Sequence, residues 1–405
     1  MKILHVIPSI SHKHGGTSSA VEAMAGTLLR AGVKVEVATT DDDGPGCRIT
    51  PPPGRRLERD GYGVFYFHKQ TEFYKVSLPF RRWLVEHASD YDLVHVHVVF
   101  SYTSNCAARL ARRFRVPYLI SPHGVLNGWG MDNRRRWLKR LSFRFVEKPL
   151  LRSAAAMHYT SRAEQREAEQ TGATAPAAVI PLGIELAPFL NPPGADVFLN
   201  RFPQARGRTL VLFLSRFDPK KGLDLLLPAF AEVRRRQPAA MLVLAGAGEE
   251  NFVAGVRERA AQLGLTNDVV WAGFLGGADK LSAFAAASVF VLPSYSENFG
   301  IALIEAMATG LPCLTTPGVA VAEDIRAHTP DALLMTSPVV QPLADALGRL
   351  LGDPGLRAQL GANARRVAAE RFSVDAMGAA LKKLYEDILQ ARRERSVGRP
   401  VVGSP

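Results

Sequence analysis

Residues 1–40 read MKILHVIPSISHKHGGTSSAVEAMAGTLLRAGVKVEVATT, and the order of patterns in this segment decides the fold. The apolar run Ile3–Ile7 predicts a strand, and the pair Gly15-Gly16 after it predicts a turn. Apolar residues at helical spacing follow, and a second strand-like run covers Val33–Thr39. A strand, a glycine loop, a helix and a second strand in this order are typical of the start of a parallel, doubly wound α/β sheet.

The same alternation occurs twice along the chain, so we predict two α/β domains. A segment rich in proline and glycine separates the two series of strand-like runs, and such residues favour a linker over a helix or strand. A helical pattern follows the second series, with the first domain as its candidate packing partner. The predicted parts are an N-terminal Rossmann-like domain at 1–186, a linker at 187–208, a C-terminal Rossmann-like domain at 209–371, a helix at 372–390 and a flexible tail at 391–405.

Composition is that of a globular protein, with 405 residues, 47% hydrophobic and 22% charged. Cys47, Cys106 and Cys313 lie far apart without C-x-x-C spacing, which argues against a disulfide framework and a thiolate zinc site. We find neither a signal-peptide pattern nor an apolar run long enough to span a bilayer, and we expect a cytoplasmic protein. The net charge is +12, and this charge alone suits nucleic acid, anionic membrane or anionic small substrates. No nucleic-acid-binding module is recognisable, so we expect no nucleic-acid partner.

The most informative motif is SENFGIALIEAMATGLP at 296–312, in which Glu297 and Glu305 enclose seven residues. A strand is predicted at Val289–Leu292 and a helix from about Gly300, so both carboxylates can face one crevice at the carboxyl edge of the sheet. The backbone N–H groups of residues 298–300 would lie at the start of that helix and favour an anion. We therefore predict that Asn298, Phe299 and Gly300 bind a phosphate of a ligand, which the resemblance described next identifies as the donor.

This motif resembles the signature of the family 4 retaining glycosyltransferases of GT-B fold. The resemblance implies two Rossmann-like doubly wound domains that face each other across a cleft, with the donor held mostly by the second. It implies that Glu297 contacts hydroxyls of the transferred sugar and that Glu305 binds the ribose of a nucleotide-diphosphate sugar.

A second motif follows the predicted strand Leu210–Ser215, where Arg216 and Lys221 enclose four residues. Two cations at the carboxyl end of a parallel strand can bind a pyrophosphate, Arg through its planar fork and Lys as a compact charge. The resemblance assigns both to the donor diphosphate, where they would stabilise charge on the leaving group. A solvated basic turn is the alternative.

Several weaker candidates complete the predicted donor site. Glycine lets a backbone approach a phosphate closely, although glycine turns after strands are common in α/β proteins. The resemblance places a nucleobase near 271–275, where a core aromatic residue is an equal alternative. The donor-binding candidates of this kind are Gly16, Gly246, Gly248 and Phe274.

Histidines in the first half are further candidates. His123 follows the strand Tyr118–Ser121 within a Pro-His-Gly sequence. The resemblance implies that it reaches the donor sugar and diphosphate, and we treat it as a catalytic residue with Arg216, Lys221 and Glu297. His95 and His97 have metal-pair spacing but no third ligand nearby in sequence, so we predict no metal site and take His97 as an acceptor-side candidate.

The segment 132–152 combines basic and apolar residues at helical spacing. This combination suits an anionic interface, and a structural helix with a solvated face is an equal alternative. Resemblance to bacterial enzymes that use polyprenyl-diphosphate carriers favours the inner face of the cell membrane. The eight basic residues are Arg134, Arg135, Arg136, Lys139, Arg140, Arg144, Lys148 and Arg152.

Together with these patterns, the resemblance implies a retaining, metal-independent hexosyltransferase without a cofactor. Its partners would be a nucleotide sugar and a saccharide or lipid-linked acceptor, in exopolysaccharide, O-antigen or glycolipid synthesis. No D-x-D motif lies in a suitable loop, because 41–43 falls in an acidic, glycine-containing stretch that we expect to be flexible. A nucleotide-sugar epimerase of the same fold and a nonenzymatic nucleotide-sugar-binding subunit are the alternatives.

Overall fold

A computed structural model describes residues 1–11, 15–50, 54–126, 136–172 and 175–397. The chain forms two compact units. The first contains Met1–Gly183 and Val374–Pro405, and the second contains Ile184–Ser373.

Strands of the first unit form one eight-stranded sheet, and strands of the second form a six-stranded sheet. The first set is β1 Lys2–Val6, β2 Lys34–Thr40, β3 Arg56–Arg59, β4 Tyr62–Phe67, β5 Leu93–His97, β6 Tyr118–Ser121, β7 Ala156–Tyr159 and β8 Ala177–Val179. The second set is β9 Thr209–Leu214, β10 Ala240–Ala245, β11 Val269–Gly273, β12 Val289–Leu292, β13 Cys313–Thr315 and β14 Leu334–Met335.

Helices connect most of these strands. Those before residue 184 are α1 Gly16–Arg30, α2 Leu78–His87, α3 Tyr102–Arg113, α4 Arg136–Ser142, α5 Lys148–Arg152 and α6 Arg162–Gln170, with a π-helix at Phe143–Glu147 between α4 and α5. Those that follow are α7 Ala187–Leu190, α8 Asp196–Arg201, α9 Leu223–Arg236, α10 Glu250–Gln262, α11 Gly277–Ala286, α12 Ile301–Ala308, α13 Ala320–His328, α14 Val340–Gly352, α15 Pro354–Arg371 and α16 Val374–Val397.

The two sheets share one winding pattern. The first has the order β3-β4-β2-β1-β5-β6-β7-β8, in which only β3 is antiparallel to its neighbour, and the second has the order β11-β10-β9-β12-β13-β14 with parallel pairs throughout. The strand order reverses between β1 and β5 and between β9 and β12, and ligands of doubly wound sheets bind beside such switch points. The predicted α/β class with doubly wound parallel sheets is confirmed.

Burial explains why these short runs form parallel strands. All six residues of β10 are buried, as are all four of β12, because helices cover both faces of the sheet. The sequence pattern missed the hairpin of β3 and β4, since β3 is a charged edge strand with no buried residue.

The segment predicted as a linker, 187–208, folds as part of the second unit. It contains α7, α8 and a 3₁₀ helix, and its aromatic residues Phe189 and Phe198 are 7% and 2% exposed. Ser282 Oγ donates to Gly194 O at 2.8 Å, and Phe198 N donates to Ser282 Oγ at 3.0 Å. The prolines therefore end short helices here instead of marking a free connection.

The C-terminal helix α16 belongs to the first unit. Thr27 Oγ1 donates to Val374 O at 2.9 Å, and Lys382 Nζ donates to Ala31 O at 2.9 Å. A Cβ at Gly378 would lie 2.4 Å from Thr27 Oγ1, so glycine is needed where α16 crosses α1. The predicted tail at 391–405 begins inside this helix, and residues 398–405 lie outside the described residues.

Candidate functional site

In the second unit, candidate residues lie at the carboxyl ends of β9 and β12, the two strands of the switch point. Lys221 ends the 3₁₀ helix Pro219–Lys221 after β9, and Glu297 lies in the loop after β12. Tyr295 N donates to Lys220 O at 2.8 Å, which joins the two loops directly.

Lys221 and Glu297 form an ion pair. Lys221 Nζ donates to Glu297 Oε2, with the lysine side chain 4% and the glutamate side chain 21% exposed. The Glu297 backbone is fixed as well, because its N–H donates to Gly318 O at 2.8 Å and its carbonyl accepts from Ala320 N at 3.0 Å. A nearly buried cation beside a partly exposed carboxylate is an arrangement that can bind a polar ligand.

Arg216 and Gly222 flank this lysine. Arg216 is exposed directly after β9, so its guanidinium is free to reach a ligand from solvent. Gly222 has φ 72°, and a Cβ there would lie 2.0 Å from Pro293 O. The close approach of the two loops that brings Lys221 to Glu297 therefore requires glycine at 222.

Glu305 lies in α12 and is 7% exposed. Lys280 Nζ of α11 donates to Glu305 Oε1 at 2.6 Å. Burial raises the pKa of Glu305 above its ordinary value, and the charge and hydrogen bond of Lys280 oppose that rise. Sequence reasoning missed Lys280, because nothing in its neighbourhood in sequence marks it as the partner of a residue 25 positions away.

The start of α12 carries the three backbone candidates. Gly300 is the N-cap with φ 86°. The N–H groups of the first turn of the helix point along its axis toward this end. Asn298 is half-buried. Phe299 is 3% exposed and packs edge-on against Phe372 at 6.0 Å, so its side chain is a core group and only its backbone can serve a ligand.

Gly246 and Gly248 have a packing reason for being glycine. A Cβ at Gly246 would lie 1.9 Å from Ser215 O, and one at Gly248 would lie 2.3 Å from Phe217 O. Phe217 N donates to Ala247 O at 2.8 Å, which continues the pairing of β9 and β10 beyond the strands. Their predicted donor contact is not needed to explain these glycines. Phe274, by contrast, is 78% exposed, so it is not a core aromatic residue.

In the first unit, His123 stands in the turn after β6 with φ 53°, a conformation that non-glycine residues rarely adopt. The turn is held by Glu164, which is 2% exposed and accepts from Gly124 N at 2.6 Å. Glu164 also accepts from Thr160 N and Thr160 Oγ1, each at 2.7 Å. Burial raises the pKa of Glu164, and these bonds oppose the rise. Glu164 is a second residue that sequence reasoning missed.

His97, the acceptor-side candidate, is fully buried and so is not placed to touch an acceptor. Its Nδ1 lies 3.0 Å from His123 Nε2, and its Nε2 lies 2.9 Å from His5 Nδ1. All five residues of β5 are buried, so a side chain on either face of this strand lies inside the unit. His97 points to the same face as His95, and both rings lie inside the unit.

A second hydrogen-bonded chain crosses the same sheet. His158 Nε2 lies 2.9 Å from Ile180 O, which can only accept, so this nitrogen carries the proton. Ser121 Oγ then donates to His158 Nδ1 at 2.8 Å and accepts from His95 Nε2 at 2.6 Å. Tyr385 of α16 donates its hydroxyl to His95 Nδ1 at 2.7 Å. The Ile180 carbonyl thus determines which group donates in every hydrogen bond of this series.

Within the described ranges, His5, His95 and His97 are the set whose ligand atoms come within 4.8 Å of one another. Both ring nitrogens of His95 and His97 already take part in the hydrogen bonds above. Two zinc ligands at about 2.1 Å from the metal can be at most about 4.2 Å apart. A zinc ion there would have to replace the network.

Other predicted residues are placed as follows. Gly16 is the exposed first residue of α1, beyond the N-cap Gly15 with φ 80°. Of the basic segment, Arg134 and Arg135 lie outside the described residues. Trp137, Leu141 and Phe145 are 68%, 52% and 66% exposed at spacings of four residues.

The stretch predicted to be flexible at 41–43 is instead tied down. Asp42 is fully buried and its Oδ1 accepts from Lys69 Nζ at 2.5 Å and from Lys75 Nζ at 2.6 Å. Asp41 accepts from Lys69 N at 2.7 Å, and Asp43 accepts from Ser11 Oγ at 2.6 Å. These carboxylates lie at the end of β2 and serve internal lysines and a hydroxyl.

Comparison with family models gives two matches that follow the two units. Residues 15–183 match the glycosyl transferase 4-like domain, and residues 198–367 match glycosyl transferases group 1. Among the described helices, none combines the length and apolar character that crossing a membrane requires.

Curated relatives and solved structures agree with these matches. D-inositol 3-phosphate glycosyltransferase of Nocardia farcinica is 31% identical over 88% of this chain and 81% of its own length. The GDP-mannose-dependent alpha-(1-6)-phosphatidylinositol monomannoside mannosyltransferase of Mycolicibacterium smegmatis is 26% identical over 94% and 97%. Sucrose-phosphate synthase from Thermosynechococcus elongatus shares the fold, with a TM-score of 0.77 at 22% identity over 96% of this chain and 100% of that one. Anabaena HepE, solved with UDP and glucose, shares it with a TM-score of 0.76 at 22% identity over the same shares.

Proposed function

Because the chain belongs to the family 4 glycosyltransferases of GT-B fold, we propose that it moves a hexose from a nucleotide-diphosphate sugar to a saccharide or lipid-linked saccharide. Membership in the family makes it an enzyme that transfers sugar and uses a nucleotide sugar. The identity of the sugar as a hexose, the retaining course of the reaction and its independence of metal belong to the proposal.

The observation that carries the proposal is the ion pair of Lys221 with Glu297 at the switch point of the second sheet. An ammonium group has three N–H donors. Lys221 can therefore keep its hydrogen bond to Glu297 with one N–H and donate another to a phosphate oxygen. In this scheme Glu297 accepts from hydroxyls of the transferred sugar. One buried cation would thus link the sugar-binding carboxylate to the leaving diphosphate.

Arg216 and the start of α12 would complete the diphosphate site. Arg216 is exposed, lies five positions before Lys221 in sequence and can bind an anion through its planar fork. The N–H groups at the start of α12 add partial positive charge. Such preorganised charge accelerates transfer where negative charge grows on the departing phosphate oxygen.

We propose retention through a front-face route, as in the family that the chain resembles. The bond between the anomeric carbon and the phosphate oxygen breaks while the acceptor oxygen bonds to the same face of that carbon. The proton of the acceptor hydroxyl passes to the departing phosphate oxygen, so no carboxylate has to become a covalent nucleophile. His123 would contact the donor sugar from the first unit, and we keep it as a catalytic residue on that basis.

Metal independence is supported by the way the acidic residues are used. Asp42, the central residue of the acidic run at 41–43, is held by two lysines. Lys221 and Arg216 would supply the charge that a divalent ion supplies elsewhere. Initial rates should therefore be equal in excess EDTA and in added magnesium, and a complete loss of activity that magnesium or manganese restores would refute this part of the proposal.

For the acceptor, we propose a saccharide or glycolipid that is presented at an anionic membrane surface. The names of two relatives contain inositol 3-phosphate and phosphatidylinositol monomannoside, which combine ring hydroxyls with a phosphate. Exposed Trp137, Leu141 and Phe145 lie beside Arg140 and Arg144, and this mixture favours a peripheral contact with the inner face of a cell membrane. Exopolysaccharide, O-antigen or glycolipid synthesis would use such an enzyme.

The deciding experiment has two steps. A thermal-shift screen of nucleotide sugars identifies the donor, because a ligand that binds only the folded state raises the melting temperature. Nucleotide release from that donor is then measured with and without saccharide and lipid acceptors, including inositol phosphates. Release that requires an acceptor, with an anomeric configuration that NMR shows to be retained, is the expected result. Isomerisation of the donor without any acceptor would instead indicate an epimerase, and binding without turnover a nonenzymatic subunit.

A further inference from the structure

We propose that His97 and His5 are positioning residues that hold His123 in a single tautomer, with its proton on Nδ1. The consequence for catalysis rests on the proposed function, because it assumes that His123 contacts the donor. In that tautomer His123 offers the ligand a hydrogen-bond donor from the nitrogen that His97 does not engage.

The three rings form one continuous chain through the sheet. His5 Nδ1 lies 2.9 Å from His97 Nε2, and His97 Nδ1 lies 3.0 Å from His123 Nε2. The rings of His5 and His97 are stacked with centroids 5.1 Å apart, and those of His97 and His123 with centroids 5.3 Å apart. Strand pairing fixes the spacing, because β1 and β5 are neighbours and His5 pairs with His95, two residues before His97.

All three rings are neutral at physiological pH. Burial lowers the pKa of His5 to about 3 and that of His123 to about 3, and in both cases His158 adds to the effect. Burial also lowers the pKa of His97 well below its usual range, with contributions from His5 and His123. A neutral imidazole has one N–H and one bare nitrogen, so each hydrogen bond in the chain must have a defined direction.

Two directions are possible, and the far end of the chain distinguishes them. His5 Nε2 is buried and has no hydrogen-bond partner among the residues that the structure describes. If the bonds run from His123 toward His5, this atom carries an N–H without an acceptor. If they run from His5 toward His123, it is a bare nitrogen. An unpaired buried N–H is the rarer defect in folded proteins, at least for backbone groups, so we choose the second direction.

With this direction, His5 Nδ1–H donates to His97 Nε2, and His97 Nδ1–H donates to His123 Nε2. The single proton of His123 is then on Nδ1. A proton relay would need a donor at His5 Nε2 to replace the proton that leaves His123 Nδ1, and none of the described residues supplies one. The structure therefore favours a fixed tautomer over proton transfer.

The tautomer can be read directly from ¹⁵N-histidine-labelled full-length protein by two-bond ¹H–¹⁵N correlation, with His123 assigned by its loss in His123→Gln. We expect a protonated Nδ1 and a bare Nε2 for His123, unchanged between pH 6 and 8. This spectrum needs no activity. A proton on Nε2, or exchange between tautomers in the wild-type protein, would overturn the proposal whatever the donor is.

Variants of His97 then test whether His97 holds His123 in one tautomer, which we call the lock. In His97→Asn the amide nitrogen can take the place of Nδ1 and still donate to His123, whereas His97→Leu cannot donate. We expect the asparagine variant to keep the wild-type signal and the leucine variant to show mixed tautomers. The matched control is His158→Gln, because His158 is a buried histidine of the second hydrogen-bonded chain, the one through Ser121, His95 and Tyr385. This substitution should leave the His123 signal unchanged. An unaltered signal in His97→Leu contradicts the lock.

Activity provides the second readout. In His97→Leu, kcat should fall on the order of 10–100-fold, the range seen when a partner that orients a functional histidine is removed, while the donor KM changes little. His97→Asn should restore most of the rate. If the tautomer is as stated but no donor supports turnover even in the wild type, the lock stands and the proposed function fails.

Discussion

Lys280 Nζ donates to Glu305 Oε1 at 2.6 Å, so the carboxylate that we expect to bind the ribose already has a cation at its side. Glu305 is nearly buried, and burial raises its pKa. The charge and hydrogen bond of Lys280 oppose that rise and so favour the ionised carboxylate, which is the form that can accept two hydroxyl hydrogen bonds.

Replacing Lys280 by Met should weaken donor binding and move its pH dependence. Without the ammonium, the already raised pKa of Glu305 rises further, so the carboxyl protonates at a higher pH. Donor affinity should fall as pH drops through that pKa, and this fall should begin at higher pH in Lys280→Met than in the wild type. At neutral pH we expect the donor KM to rise about tenfold, as for the loss of one charge-assisted hydrogen bond.

The measurement is donor KM from pH 5 to 9. Glu305→Gln should raise KM and remove its pH dependence, and Lys280→Arg should retain most of the wild-type behaviour. Lys383→Met is the control, because Lys383 is an exposed lysine on α16 whose side chain is 76% exposed. Identical KM values and pH profiles for the wild type and Lys280→Met would show that Glu305 does not depend on this lysine.

Removal of Lys221 should reduce the rate of transfer more than it reduces donor binding. Lys221→Met and Arg216→Ala should each lower kcat on the order of 10²–10³-fold, the effect of deleting one preorganised group that stabilises transition-state charge. The control is Arg206→Ala, since this exposed arginine bonds to Asn200. Normal turnover in both variants would exclude these cations from the diphosphate site.

A Tyr385→Phe substitution should destabilise the first unit without altering donor affinity. The hydroxyl of Tyr385 donates to His95 Nδ1, and its loss leaves a buried nitrogen without a donor. Such a group costs about 1–3 kcal/mol. Urea denaturation should show the loss. Tyr295→Phe is the matched control, because the Tyr295 hydroxyl bonds to Asp224 at an exposed site and should cost much less. Equal midpoints for the two variants would show that the hydrogen bond between Tyr385 and His95 does not contribute to stability.

The sequence predicted what local patterns encode. Apolar runs and glycine turns located most strands of both sheets. The motif at 296–312 singled out Glu297 and Glu305 through its spacing and its family resemblance, and their roles stay predictions. The domain boundary was placed less well, because the segment 187–208 is rich in proline like a linker, although its prolines belong to short helices.

Contacts between distant residues could not be predicted in this way. Lys280 reaches Glu305 because α11 and α12 pack on one sheet, and His5 reaches His97 because β1 pairs with β5 at a particular register. A glycine in a sequence motif can serve either ligand binding or internal packing, and the sequence does not distinguish the two. Gly246 was chosen for a ligand, yet the nearest atom to a Cβ there is Ser215 O. A sequence pattern records that space is needed, but not what fills it.

The helix that begins at Arg136 gives the last prediction. Trp137, Leu141 and Phe145 are large apolar side chains that are each more than half exposed. Transfer of one such side chain out of water is worth about 1.5–3 kcal/mol, and each nearby basic residue contributes about 1 kcal/mol at an anionic surface. The exposed apolar face and the exposed Arg140 and Arg144 should therefore act together on a bilayer.

We expect the full-length protein to sediment with vesicles that contain anionic lipid and to bind neutral vesicles weakly. The triple variant Trp137→Ser, Leu141→Ser, Phe145→Ser should lower the partition coefficient at least tenfold at every salt concentration, because it removes apolar contact. Arg140→Gln with Arg144→Gln should instead lower binding mainly at low salt, where the Debye length is about 10 Å or more and charges are screened less.

Val339→Ser is the control, since Val339 is an exposed apolar residue of the second unit. Donor affinity should be unchanged in all of them, as the proposed donor residues lie mainly in the second unit. If the wild type and the triple variant sediment equally with anionic vesicles, this helix is a solvated structural element and the lipid-linked acceptor loses its support.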